Sequence, residues 1–303
     1  LSTTAGRIAQ AATGWLKLLA DPVRAAAYRL LPAHDPTLVD RAWIARVRAA
    51  LRDIGHGQVD KVVLARSRHF AADAPIPPGP LLGVLLEQQP AATIYAFGEG
   101  PQTFRGATPE RLVSLAGRRL SADALAGRPV AGSVRLGAAK NRHEQALVTR
   151  AVVASLAGHC AHPPQPGPVE RHAAGHIRHL RSRITGVTAP GISLFDLVRA
   201  LHPTPAVGGF PGAAAASWLA RHGEVRGGWY SGGFGALDTN GDGAFDVALR
   251  SALITGKRIE LHAGAGIVAG SDPELELAET EAKIGALLNA LAAHAANARS
   301  ACG

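Results

Sequence analysis

The stretch "SDPELELAETEAKIGALLNAL" (residues 271–291) decides how the chain is read. Ser271, Asp272 and Pro273 make a helix entry, and an apolar repeat follows. At about 100° per residue, Glu276, Glu279 and Lys283 fall on one side of that helix. The same side continues into Leu287 and Leu291, the apolar stripe. The helix therefore aims two carboxylates along the face it should bury. Glu144 repeats the pattern in "KNRHEQALVTRAVVASLAG" (140–158), where it lines up with Val148, Ala151 and Ser155. Helix N-termini favour negative charge, which accounts for the position along each helix but not for the direction. A buried, unpaired carboxylate costs several kcal/mol or takes up a proton. A divalent cation shared by the two helices removes that cost, and carboxylate-only ligation suits a hard ion such as Mg2+. The rival is an exposed Glu279–Lys283 pair at i,i+4, worth tenths of a kcal/mol. Periodicity leaves both readings open.

With 303 residues and 47% hydrophobic content, the chain can bury a real core, and 18% charge excludes a disordered tail. The net charge of +9 admits nucleic acid, an acidic membrane or a small anionic substrate. Lys and Arg are scattered, and only seven Phe, four Trp and three Tyr are available to stack bases. No nucleic-acid partner is therefore expected. No run of 18 apolar residues exists, so no membrane span is expected. The opening "LSTTAGRIAQAATGWLKLLADP" is too interrupted by Gln10 and Lys17 for a signal peptide. Cys160 and Cys302 can build neither a disulfide framework nor a four-thiolate zinc site, which points to a cytoplasmic location.

The pattern reads as helical over residues 1–55, with breaks at Pro22, Pro32 and Pro36. "KVVLARSRHF" (61–70) reads as a strand and "PIPPGP" (75–80) as a loop. "ATIYAFGEG" and "TFRGATPERLVSLAGRRLSA" read as short strands with glycine turns, and "HIRHLRSRITG" (176–186) as another strand. Ser193 and Asp196 suit a capping box for the helix "LFDLVRALH", and "PGAAAASWLARHG" is a further helix. "GGWYSGGFGALD", "AFDVALRSALITG" and "RIELHAGAGIVAG" read as three strands. Strands and helices intermix without a βαβ rhythm, which predicts α+β. With neither repeats nor a low-complexity linker, residues 1–303 form a single domain: a helical part over 1–58 and a core over 59–298.

Several motifs have plain readings. "DTNGDGAFD" (238–246) imitates a calcium loop, but Leu249 stands where the bidentate Glu belongs, so a hairpin turn is expected. His172, His176 and His179, with Cys160 and His162, could ligate zinc; solvated or singly bonded histidines fit better, because His176 and His179 point to opposite faces of a strand. "HAGAGIVAG" (262–270) is no nucleotide loop, though its glycines let backbone N–H groups approach an anion. Arg250 lies on a strand face between Ala248 and Ala252, reaching either solvent or a carboxylate in a pocket.

Eight segments occur in an order that is highly specific: "KVVLARS", "FRGATPERLV", "KNRHEQALV", "HLRSRITG", "LHPTPAVGGFP", "GGWYSGGFG", "DGAFDVALRSALI" and "LHAGAGIVAGSDPELELAETEAK". Over roughly three quarters of its length the chain resembles the chorismate-utilising enzymes, which include isochorismate, anthranilate, aminodeoxychorismate and salicylate synthases. The resemblance implies an α+β fold in which antiparallel β-sheets form a sandwich core with helices packed outside. It implies Mg2+ held by Glu144 and Glu279, with Glu276 close by and acting through water. Lys283 would neutralise the ring carboxylate of chorismate. Arg250, Tyr230 and the backbone around Gly264 would hold the enolpyruvyl carboxylate, and His202 would face the ring substituents.

Within the family the subtype follows the nucleophile. Lys61 resembles the base that activates water for attack at ring C2, and must lose its proton to act. Glu110 in "ATPERL" would be the acid that protonates the departing C4 hydroxyl, and Ala206 in "PTPAVGG" resembles the isochorismate type. The link from "ALAG" to Glu144 is shorter than usual in the family, with Arg128 where Thr or Ser usually follows, and Gly132 and Ser133 in "PVAGS" would supply that part of the substrate pocket. The implied protein is a monomeric, Mg2+-dependent isochorismate synthase, an isomerase feeding menaquinone or siderophore formation. The alternatives are a salicylate synthase, an anthranilate or aminodeoxychorismate synthase component, or a homologue that binds chorismate without turnover.

Overall fold

A computed structural model of the protein describes residues 28–76, 78–126, 136–174 and 177–300. In chain order its strands and helices are β1 (Leu30–Pro32), α1 (Pro36–Gly55), β2 (Lys61–Ala72), α2 (Pro78–Gln88), β3 (Thr93–Glu99), β4 (Gln102–Thr108), β5 (Arg111–Ala116) and β6 (Arg119–Ala126). Then come α3 (Leu136–Ala157), β7 (Gln165–Pro166), β8 (Glu170–Ala174), β9 (Ile177–Val187), α4 (Leu194–Leu201), β10 (Gly209–Phe210) and α5 (Gly212–Arg221). The chain closes with β11 (Gly233–Leu237), β12 (Gly243–Val247), β13 (Ser251–Thr255), β14 (Arg258–Val268) and α6 (Pro273–Ser300).

The strands form two seven-stranded sheets. One runs β1-β2-β14-β13-β4-β3, with β10 on β2; the other runs β11-β12-β5-β6-β9-β7, with β8 on β9. The pairings among these strands are antiparallel. Alternation along β2 sorts the side chains. Val62 and Leu64 turn outward to pack with Trp43 and Val47 of α1 and Trp218 of α5. Lys61, Val63 and Ala65 turn inward to a cleft. Helices α2 and α6 cover the first sheet through Leu81, Leu85, Ile284, Leu287 and Leu291. Helices α3 and α4 cover the second through Val148, Val152, Leu194 and Leu197. Burying each such side chain contributes about 1.5–3 kcal/mol. Helix α4 has the expected capping box: Ser193 Oγ accepts from Asp196 N, and Ser193 N donates to the Asp196 carboxylate.

Twice the chain steps directly from one sheet to the other: between β4 and β5 through Pro109 and Glu110, and between β12 and β13 through Ala248, Leu249 and Arg250. These steps carry side chains into the space that both sheets line. Arg250 adopts φ 49 there, so "AFDVALRSALITG" is two strands in different sheets, where a single strand was expected.

Three other expectations change or hold. Residues 1–27 of the stretch read as helical lie outside the described residues; the reading is met over Pro36–Gly55, but Leu30–Pro32 is a strand because it pairs with Phe70–Ala72 at the end of β2. The loop expected over 75–80 gives way to a helix at Pro78; proline suits a first turn, where its missing N–H lacks an intrahelical partner anyway. Residues 238–242 form the expected hairpin turn, with Asp238 Oδ1 accepting from the backbone N–H of Asn240 and Asp242. None of the helices described is long and apolar enough to cross a membrane.

Candidate active site

Both sheets line one cleft. Lys61 opens β2 between Val268 of β14 and Phe210 of β10, so its side chain is only 1% exposed. Its Nζ lies 2.7 Å from Oε1 of Glu144, which enters from α3 and is itself 7% exposed. Gly266 on β14 makes room for the pair: a Cβ there would overlap Glu144 Oε1 and lie 2.8 Å from Lys61 Cε.

The inward carboxylates of α6 are also met by ammonium groups. Glu276 Oε1 lies 2.7 Å from Lys140 Nζ, which in turn lies 3.8 Å from Glu144 Oε2. Glu279 Oε1 lies 2.7 Å from Lys283 Nζ, and Lys283 donates to the carbonyl of Gly264 at 2.7 Å. The Glu279–Lys283 pair of the plain reading therefore exists, but inside the cleft: the two side chains are 18% and 16% exposed. Burial works to raise Glu279, yet Lys283 and Lys140 overcome it and hold its carboxyl down at about 2. Burial raises Glu276 against the pull of Lys140. Lys140 is itself held above the ordinary lysine range, because Glu144, Glu276 and Glu279 outweigh the effect of its burial.

Among the described residues no three His, Cys, Asp or Glu side chains gather as a metal-binding group. What the structure holds is two carboxylates, Glu276 at 2.7 Å and Glu144 at 3.8 Å, turned toward one cation, the Lys140 ammonium. Carboxylate oxygens converging on a positive charge are the donor type that a hard divalent ion takes. The zinc reading finds no such support: His172 and His179 are cross-strand partners, and His176 lies outside the described residues.

Glu110 sits in the step from β4 to β5, fixed by Glu110 N donating to Thr108 Oγ1 and by Val247 N donating to its carbonyl. It is 4% exposed. Burial raises its carboxyl to about 7, with Lys61 and Lys283 opposing and Asp123 adding to the rise. Deeper in the cleft, Arg250 Nη2 meets His179 Nε2 at 2.7 Å. Tyr230 stacks on His262 with ring centroids 5.2 Å apart, and a Cβ on Gly264 would lie 2.9 Å from the Tyr230 hydroxyl. Burial raises Tyr230 and lowers His262, the latter to about 4, so the hydroxyl stays protonated and the imidazole neutral near neutral pH. Ala206 lines the same cleft.

The structure thus brings Lys61, Glu110, Glu144, Ala206, Tyr230, Arg250, Gly264, Glu279 and Lys283 to one cavity. Glu276 stands behind it, linked through Lys140. His202 is not among the lining residues; its Nε2 bonds the carbonyl of Ser231, which is. Gly132 and Ser133 lie outside the described residues. Sequence reasoning passed over Lys140 and Arg226, and weighed His179 only as a zinc ligand or a solvated or singly bonded histidine. Lys140 was open to discovery, four residues before Glu144 on the same helical face. Arg226 sits in a loop without periodicity, yet it ties the carbonyls of Val63 and Val207 to Ser231 Oγ.

Residues 7–292 match the family described as "Chorismate binding enzyme". The isochorismate synthase MenF of Bacillus subtilis is 35% identical over 260 residues, covering 82% of this chain and 55% of its own length. The salicylate biosynthesis isochorismate synthase of Pseudomonas aeruginosa is 37% identical over 263 residues, covering 84% and 55%. The chain therefore spans about half the length of these curated relatives. The solved structure of MenF, the menaquinone-specific isochorismate synthase from Escherichia coli, superposes with a TM-score of 0.76 at 28% identity, over 88% of this chain and 63% of that one. The expected α+β arrangement of antiparallel sheets and covering helices is borne out, and the chain belongs to the chorismate binding enzyme family.

Proposed function

We propose that the chain is a Mg2+-dependent isochorismate synthase, which adds water at C2 of chorismate with loss of the C4 hydroxyl. The observation that most supports this reading is that a buried amine, Lys61, and a buried carboxyl poised near 7, Glu110, line one cleft. Water is a weak nucleophile near neutral pH and hydroxide a poor leaving group, so the reaction needs a placed base and a placed acid. In this reading Lys61, once it has given up its ammonium proton, takes a proton from water as the oxygen bonds to C2. The ring double bonds shift, the C4–O bond breaks, and Glu110 gives its proton to the departing hydroxyl. One water enters and one leaves, so the product is an isomer of the substrate. A carboxyl titrating near 7 keeps a large protonated fraction at neutral pH, as a general acid must.

The remaining groups bind and orient. Arg250, Tyr230 and the backbone at Gly264 offer donors for the enolpyruvyl carboxylate, and Lys283 offers its ammonium to the ring carboxylate. Glu144 and Glu279, with Glu276 nearby, would hold Mg2+, which supplies a Lewis acid that anchors the ring carboxylate. The names of the relatives point the same way. Incubation of the purified protein with chorismate and MgCl2, followed by chromatography, is expected to yield isochorismate. Fluorescent salicylate as the main product would move the assignment to a salicylate synthase. No product at high enzyme concentration would overturn it.

A further inference from the structure

We propose that Lys140 is a built-in competitor for the divalent cation, its ammonium occupying the place where the carboxylates of Glu144 and Glu276 approach each other. The inference rests on the reading of Glu144 and Glu279 as metal ligands. Lys140 lies near the start of α3, and Glu276 in the first turn of α6, so a single ammonium bridges two helix beginnings. Glu144, Glu276 and Glu279 face Lys61, Lys140 and Lys283, three negative groups against three positive ones. A divalent ion added to a balanced cluster in a partly buried setting is repelled by the ammonium groups already there until one of them withdraws.

Of the three lysines, Lys140 holds the proposed metal ligands least tightly: it lies 3.8 Å from Glu144, whereas Lys61 is 2.7 Å from Glu144 and Lys283 2.7 Å from Glu279. Lys61 is enclosed, with its side chain 1% exposed. Lys283 is tied to the carbonyl of Gly264. The Lys140 side chain is absent from the cleft lining, and it has a long flexible stem and no part in the proposed chemistry. Metal entry is then an exchange: the ion takes Glu144, and Lys140 moves off. The consequence is a deliberately weakened, exchangeable metal site.

The test is titration of the full chain with MgCl2 alone, by calorimetry, and with MnCl2 by electron paramagnetic resonance. Lys140→Met and Lys140→Gln are compared with the unaltered protein; the Gln variant keeps a hydrogen-bond donor for Glu276 and guards against misfolding. Both variants are expected to bind the metal at least tenfold more tightly, and to gain more thermal stability from added Mg2+. Equal or weaker binding in a folded variant, with binding retained by the unaltered protein, overturns the inference: Lys140 would then only position the carboxylates. Absence of binding by all three proteins at millimolar metal overturns the metal reading of Glu144 and Glu279, and this inference with it.

Discussion

Lys61 Nζ lies 2.7 Å from Glu144 Oε1, and the two side chains are 1% and 7% exposed. A buried pair of this kind is weak evidence for stability, because desolvation offsets much of the attraction. It does fix direction: the amine is held toward the cleft. Lys61→Ala is expected to lower kcat by about 10²–10⁴-fold, the usual contribution of a placed base. It should also destabilise the fold by up to about 3–5 kcal/mol, since Glu144 loses its short partner, with Lys140 at 3.8 Å softening the loss. Steady-state kinetics and urea denaturation measure the two effects. Full activity in this variant would remove Lys61 from the mechanism.

Glu110 gives a pH signature of definite sign. Its carboxyl is raised by burial from 4.5 to about 7, so the acid form is depleted as pH rises past that value. In the proposed reaction kcat should therefore fall on the alkaline side. Stability moves the same way. Between those two values the folded state keeps a proton that the unfolded state releases, so folding loses free energy as pH rises, on the order of 3 kcal/mol in all. Glu110→Gln should abolish turnover and flatten this part of the stability profile. An unchanged loss of stability between pH 4.5 and about 7 in that variant would show that another group carries it.

Glu279 shows the opposite sign. Lys283 and Lys140 hold it at about 2 against its burial, below the ordinary 4.5. The stability it contributes is present above the unfolded value and is lost as pH falls from there toward 2. Glu279→Gln should lack that acid-side loss and should weaken Mg2+ binding at least tenfold, as removal of a charged oxygen ligand requires. Acid titration followed by circular dichroism, and calorimetry with MgCl2, read the two effects separately.

The inward carboxylates were legible because a helix repeats every 3.6 residues or so. Glu276, Leu287 and Leu291 were placed on one side by spacing alone, and they are 3%, 2% and 0% exposed. The sheet change at Arg250 was not legible, because "AFDVALRSALITG" runs without Gly or Pro through the break. Only partners reveal it: β12 pairs with β5, and β13 with β4 and β14. Histidines show the same limit. His202 and His179 carry equal local signals, and tertiary pairing sends His179 to Arg250 and His202 to a backbone carbonyl. The three-residue strand at Leu30–Pro32 is likewise set by the neighbouring strand rather than by its own composition.

Two glycines beside Lys61 separate the needs of the fold from those of the site. A methyl group on Gly266 would meet the tips of flexible side chains, Glu144 Oε1 and the Cε and Nζ of Lys61. Those tips belong to flexible side chains, but both are buried, so Gly266→Ala should fold with some loss of stability, smaller than that of Lys61→Ala. The Lys61–Glu144 pair cannot keep its present geometry, and misplacement of a reacting group by an ångström costs on the order of 10²-fold in rate. Gly209 differs: its φ is +135, and an added Cβ would collide with the carbonyl of Lys61 and the Cα of Val62. Backbone in a paired strand cannot yield in that way, so Gly209→Ala should lower stability by more than about 1–3 kcal/mol and act through loss of folded protein. Thermal melts beside kcat distinguish the two. A Gly266→Ala protein that folds and turns over normally would mean that the contact between Lys61 and Glu144 is not needed for the reaction.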